Sequence, residues 1–450
     1  MRSQKLKKTF FVLVAVVYII AASVYVYASK ESTEGGAKKE TTISVLMCST
    51  PQSDMIEQLH PEFTAETGIK VNLEMIAYED SHSKGVLDLV SGTSNYDVLM
   101  MDNPWLGEYV KTGNVLPLTE YMENEEPGYI EGFDQNALEV YGYYEGTYYA
   151  YPIMFGVMLL MYRTDLFENY SDEYAAQYGT QLRPPKTWEE YLQIARFFTK
   201  EYNPGSPVKY GVSIAGERGD GAISEFLPWV WGCGGNIFDK DWNVTTNTPE
   251  VIKAFRLFGE QAKYAPPGFV NMVWEESLVP FANGDVAIIE TWDVFSDPVI
   301  NPDTSKVYDR VGFASVPGGI PLLGGWGMVI NKNSSDVDAA YEFLRWACGP
   351  EVAEKSLDIA VVTPTRRDVY EKPEVRKRIP WADAALENFP KVRKYADAYA
   401  GGPILIPEAE YHVILGTICN EVLAGTLTPE EAALRAEREI TALLDEHDYY

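Results

Sequence analysis

The sequence predicts an α/β protein built as two compact units. Short apolar runs suited to buried strands alternate with stretches of helical spacing, the pattern of parallel crossover units. The chain has 450 residues, beyond the size at which one hydrophobic core keeps growing, so two units are the expectation. Its composition, 46% apolar and 23% charged, is that of an ordinary globular protein, which leaves no large part to disorder.

Residues 9–28 (TFFVLVAVVYIIAASVYVYA) carry no charge and follow Arg2, Lys5, Lys7 and Lys8, the layout of an export signal with a basic start and an apolar centre. An apolar helix of about 20 residues can also stay in the membrane as an anchor. Val26, Tyr27 and Ala28 suit a signal peptidase, which favours cleavage after Ala28 over retention. Residues 29–42 (SKESTEGGAKKETT) lack large apolar side chains and read as a flexible linker.

The folded part starts near Ile43. Residues 43–47 (ISVLM) form an expected strand, followed by Met55, Ile56, Leu59 and Phe63 at helical spacing and a stop at Gly68. Residues 70–76 alternate as a second strand, and residues 96–101 (YDVLMM) make a third after another amphipathic stretch. Thr187 with Glu190, and Thr428 with Glu431, fit capping boxes, in which the two side chains satisfy free amides of the first turn. Pro429 suits the first helical position. Val337, Ala340, Tyr341, Leu344 and Ala347 mark a one-faced helix, and Leu434, Ile440 and Leu444 continue the last one.

In residues 145–190, Gly146, Tyr149, Ala150, Tyr151 and Pro152 lead into an apolar run ending in Tyr162, Arg163, Asp165, Leu166 and Phe167; Pro185, Thr187, Trp188 and Glu190 then open a helix. This resembles the lobe-crossing segment of extracellular solute-binding proteins of the maltose-binding type. The resemblance extends through Phe63, Glu66, Thr67, Gly68, Ile69 and Val71; through Gly113, Val115, Pro117 and Leu118; through Phe281, Gly284, Ala287 and Ile288; and through GGWGMVINKNSSDVDAAYEFLRWACGPEV. It implies a two-lobed periplasmic-binding-protein-like fold with a ligand cleft between lobes and a hinge of crossover segments. One lobe is then expected from residues 43–151 and 311–364, the other from 152–310 and 365–450. The function implied is the extracytoplasmic, monomeric binding subunit of an ATP-binding-cassette (ABC) importer. Such a subunit closes on a carbohydrate, whether monosaccharide, oligosaccharide or polyol, and delivers it to membrane permease subunits without a cofactor. Many relatives carry a lipidated Cys after the apolar segment, and this chain has none before Cys48. The first strand is followed by MCSTPQSD, a departure from the Trp- or Gly-rich stretch of many sugar binders.

A sugar offers apolar C–H faces and a ring of hydroxyls, so its site needs aromatic planes and polar groups that take or give hydrogen bonds. Asp102 and Trp105 follow the third strand at its carboxyl end, where open parallel sheets place ligands. Trp292 and Asp293 follow the apolar strand at 286–289, and Gly325 and Trp326 precede another, Gly325 allowing close backbone approach. The resemblance adds Trp229 and Trp231, with Phe226 and Glu225 beside them, and Tyr411, Arg366 and Arg367; Ser49 and Tyr78 are further candidates after the first two strands.

The formal charge of −29 becomes −33 once residues 1–28, with four basic and no acidic side chains, are removed. Nucleic-acid phosphates need a basic face, so that class of partner is excluded. The cysteines, Cys48, Cys233, Cys348 and Cys419, form no C-x-x-C pair; zinc ligation is not expected, and buried free thiols are favoured over a bridge. There is no H-E-x-x-H helix and no Walker phosphate loop, and the run Gly211, Val212, Ser213, Ile214, Ala215 fails the nucleophile-elbow pattern at its last place. His60 and His412 read as packing or surface residues. A glycosidase needs only two carboxylates, which 66 acidic residues cannot exclude, so it stays open as an enzyme alternative. A membrane-tethered sensor using the same cleft is another.

Overall fold

The computed structural model describes residues 41–395 and 408–447. The export segment at 1–28 and all but the last two linker residues lie outside them. Strand β1 (Thr42–Cys48), helix α1 (Pro51–Thr67), β2 (Lys70–Ile76), α2 (Tyr78–Ser91) and β3 (Val98–Asp102) follow the alternation read from the sequence. β1 pairs in parallel with β2 on one side and β3 on the other. α1 stops at Gly68, whose φ of 77° is left-handed and costs a glycine little.

β4 (Ala150–Arg163) is the crossing strand. Beyond it come α3 (Trp188–Phe197), β5 (Tyr210–Ser213), α4 (Asp220–Gly232), β6 (Val286–Trp292), β7 (Val311–Ala314) and β8 (Leu323–Ile330). α5 (Val337–Ala347), α6 (Glu408–Leu423) and α7 (Pro429–Glu446) complete the frame. The box expected at Thr428 forms, Thr428 accepting the Glu431 amide at 3.3 Å and Glu431 the Thr428 amide at 3.1 Å, whereas at Thr187 only half of it does: Thr187 accepts the Glu190 amide at 3.2 Å, but the Glu190 carboxylate takes the Lys186 amide at 2.7 Å.

The strands run in the order β2-β1-β3-β8-β4-β6-β5, with β7 off this path against β4. Residues 150–157 of β4 pair antiparallel with β8, whereas Met158–Tyr162 pair with β6 and Leu160–Arg163 with β7. One continuous strand therefore belongs to two sheets, and the partner change at Val157 and Met158 joins the two lobes.

The strand partners near two of the expected lobe boundaries are as follows. β7, expected in the first lobe, pairs with the far half of β4; the return to the first sheet begins at Leu323. Residues just after Pro364, expected in the second lobe, lie across the junction. There Phe133 bridges Arg366, the Asp134 amide donates to the Thr365 carbonyl at 2.9 Å, and Trp381 and Phe389 pack with Tyr141, Phe155, Val157 and Leu323. All four cysteines are unbridged, three of them buried and Cys233 partly so.

Candidate functional site

β3 ends at Asp102, and a short turn, Asn103–Trp105, carries the chain away from the sheet. β8 lies antiparallel beside it with Trp326 opposite Asp102, which sets that tryptophan next to the carboxyl end of β3. Tyr78, at the start of α2, completes the group. Its ring centroid is 4.9 Å from Trp105 and 5.7 Å from Trp326, and the two indoles meet edge to face at 5.3 Å. Such contacts favour the ring quadrupoles and hold the aromatic faces in fixed directions.

The Asp102 carboxylate lies at the edge of this aromatic group. The Tyr78 hydroxyl donates to Oδ2 at 2.9 Å and the Asn103 amide to Oδ1 at 2.8 Å. Burial pushes the acid up to about 7; the Tyr78 and Asn103 hydrogen bonds and His412 oppose this, while the charge of Asp220 adds to it.

Asp220 and His412 arrive from the other lobe. Asp220 opens α4 directly after Gly219, whose φ is 95°. His412 Nδ1 lies 2.7 Å from Asp220 Oδ1. Gly416, one turn further along α6, explains the approach: a Cβ there would sit 2.2 Å from the Gly219 carbonyl oxygen. Glycine lets α6 press onto that loop, which brings His412 to Asp220. α6 also packs against the Asn103–Trp105 turn of the first lobe. The Ser224 and Tyr395 hydroxyls meet at 2.7 Å, and the Tyr411 hydroxyl donates to the Tyr395 carbonyl at 3.2 Å.

The structure thus brings Asp102, Trp105 and Trp326 together and adds Tyr78. Trp292 lies against Gly324 of β8, where a Cβ would come within 2.7 Å of its ring. Tyr411 is fully buried and reaches this region through Tyr395. Gly325 has a packing reason: at φ 120° a Cβ would be 2.3 Å from the Met154 carbonyl oxygen.

Other candidates have structural partners. Asp293 is fully buried, accepts the Val157 amide at 2.8 Å through Oδ1 and the Thr363 hydroxyl through Oδ2, and is occupied as a junction between crossing segments. Trp229 stacks on Trp188 at 3.8 Å inside the second lobe. Trp231 lies under Arg393, whose guanidinium carbon is 4.7 Å from its ring. Arg366, 1% exposed, is held by Asp368 at 2.7 Å and by the rings of Tyr129 and Phe133. Arg367 pairs with Glu371 at 3.2 Å on the surface. Phe226 stacks on Phe255 at 4.2 Å. Glu225 accepts the Ala215 amide at 2.7 Å, and burial pushes it up to about 8. Ser49 is exposed.

Sequence reasoning missed Asp220 and took His412 for a packing or surface residue. The two are 192 positions apart, so no local pattern joins them. Among the described residues no group of three or more His, Cys, Asp or Glu side chains converges to hold a metal ion.

Residues 49–354 match the family of bacterial extracellular solute-binding proteins. A probable amino-acid ABC transporter periplasmic-binding protein of Sinorhizobium fredii is 24% identical over 86% of each chain. A mannitol-binding protein of Pseudomonas aeruginosa is 28% identical over 65% of this chain and 69% of its own length. Among solved structures, a solute-binding protein of an ABC transporter from Agrobacterium radiobacter, in complex with ribitol, superposes with a TM-score of 0.78 at 25% identity, covering 90% of this chain and 98% of that one.

Proposed function

Because the chain belongs to the family of bacterial extracellular solute-binding proteins, we propose that it serves an ABC importer by taking a polyol or a mono- or oligosaccharide between its lobes. The observation that carries this reading is the aromatic group Tyr78, Trp105 and Trp326 beside Asp102, at the place where α6 and Asp220 of the other lobe arrive. Indole and phenol faces suit the C–H faces of a polyol or sugar, and Asp102 accepts hydroxyl hydrogens. The ribitol complex and the mannitol-binding relative favour the same ligand class.

In this reading Trp105, Trp326 and Trp292 stack against the ligand while Asp102 and Asp220 accept from its hydroxyls. Only the closed form makes contacts from both lobes, so ligand shifts the population towards it and alters the surface offered to the permease. A dissociation constant near micromolar corresponds to about 8 kcal/mol, ample for such a receptor. Its family places the chain outside the cytoplasm. Export by residues 1–28 with cleavage after Ala28 completes the reading, and the intact mass of the exported protein tests it.

The deciding experiment is a thermal-shift screen with ribitol, mannitol, glucose and maltose, followed by calorimetry and by mass spectrometry of the ligand. A stabilising polyol or sugar recovered unchanged is the expected result. Turnover of the sugar would instead make the chain a glycosidase.

A further inference from the structure

We infer that the protein has a second binding site, separate from the cleft, which takes a small neutral carboxamide. It is a cavity at the junction of the lobes, and the Gln52 side chain is its anchor. The inference does not use the carbohydrate reading, and its test is read with no sugar or polyol present.

The cavity lies between the start of α1, which supplies Gln52, Met55 and Ile56, the end of α5 at Cys348, Ile153 of β4, and the crossing residues 362–365. Tyr78, Asp102, Trp105 and Trp326 take no part in its wall. It measures about 30 Å³, where one water needs ~10–15 Å³, and it is partly open to solvent. At this point β4 skips a residue against β8: Pro152 pairs with Gly327 and Met154 with Trp326, which leaves Ile153 without a partner in β8. Such bulges recur beside functional sites, because they re-aim a side chain.

Gln52 is 4% exposed, and neither its amide oxygen nor its amide nitrogen has a partner in the protein. The other polar side chains of the wall are engaged. The Ser356 hydroxyl donates to the Ala353 carbonyl at 3.1 Å, the Thr365 hydroxyl to the Pro152 carbonyl at 3.1 Å, the Cys348 thiol to the Tyr151 carbonyl at 3.9 Å, and the Thr363 hydroxyl to Asp293. A buried amide with both ends unmet bears the desolvation of a donor and of an acceptor. A primary carboxamide answers both at once, since it is planar and holds an acceptor beside a donor. Water meets each end separately and does nothing for the apolar wall. No Asp, Glu, Lys, Arg or His side chain lines the cavity, so a charged guest would leave water without a counter-charge. Met55, Ile56, Ile153, Val352 and Val362 instead receive a short apolar tail.

The test is a saturation-transfer NMR titration of the protein with propionamide, beside propionate and butanone, its charged and its donor-free relatives of the same size. Propionamide should saturate at about millimolar concentration, within reach of a guest of so few atoms, and the other two should bind about tenfold or more weaker. Gln52→Leu replaces the amide with an apolar group, and Ala353→Leu fills the cavity from another wall. Each variant that keeps its cooperative melting transition should lose propionamide affinity by about tenfold or more. Equal binding of propionate or butanone, full affinity in a folded variant, a signal that never saturates, or a soaked crystal with water alone at Gln52 would each overturn the site. All of these outcomes leave the reading of the cleft untouched.

Discussion

The Asp293 carboxylate accepts the backbone amide of Val157 at 2.8 Å, tying the end of β6 to the point where β4 changes sheets. Its other oxygen takes the Thr363 hydroxyl, which in turn accepts from the Trp381 indole at 2.9 Å. One buried acid thus gathers the segments that connect the lobes. Asp293→Ala removes an acceptor and strands buried donors, each costing about 1–3 kcal/mol. The expected loss is about 2–4 kcal/mol in urea unfolding, with Asp293→Asn retaining part of it. An unchanged midpoint would show that the junction does not depend on this side chain.

Trp105 and Trp229 should separate binding from stability. Trp105 belongs to the aromatic group beside Asp102, whereas Trp229 stacks on Trp188 within the second lobe. Trp105→Ala is expected to weaken ligand binding by about 1–3 kcal/mol, as a buried aromatic contact does. Trp229→Ala is expected to cost about 3–5 kcal/mol of stability, the range for emptying a large core site. Calorimetry and denaturation on both variants check the pair. The reverse assignment would move the site into the second lobe.

Stability should fall as pH rises, because of two acids buried in the second lobe. Burial pushes Glu225 up to about 8, and burial and then the charge of Glu225 push Glu290 well above the ordinary value of 4.5. Between 4.5 and about 8 the folded chain therefore holds protons that the unfolded chain has released. The contribution is complete below 4.5 and is lost as pH climbs through the folded values. Glu290→Gln should flatten the dependence and raise the melting temperature at pH 8 relative to the parent. Parallel curves for parent and variant would rule out Glu290 as a source.

Gly416 should tolerate no side chain. A methyl group there would press on the Gly219 carbonyl and push α6 away from Asp220. Gly416→Ala is expected to cost about 1–3 kcal/mol by overpacking and to weaken ligand binding as His412 withdraws. Denaturation and calorimetry together measure this, and normal affinity in the variant would show that the His412–Asp220 contact does not serve the cleft.

Much of this protein follows from local sequence. The alternation through β1, α1, β2, α2 and β3, the stop at Gly68 and the caps at Thr187 and Thr428 depend on side-chain period and on a few hydrogen bonds within one turn. Asp102 and Trp105 were legible as candidates because the carboxyl end of a parallel strand is itself a local feature. Trp229, Arg366 and Asp293 show where that reasoning stops. An indole can stack on a sugar or on Trp188, and an acid can accept from a hydroxyl of a ligand or of Thr363; residue type alone does not choose.

The sequence by itself determined the α/β class, the crossing strand and the aromatic residues of the candidate site, since each rests on residues near one another in the chain. Only the tertiary structure decided which strand β7 pairs with, which tryptophans stay beside Asp102, and that Asp220 and His412 meet across 192 positions. The physical reason is that helix and strand period are properties of neighbouring residues, whereas partner choice is a competition among distant groups settled by packing, by close approach at Gly416, and by the need of each buried polar group for a partner.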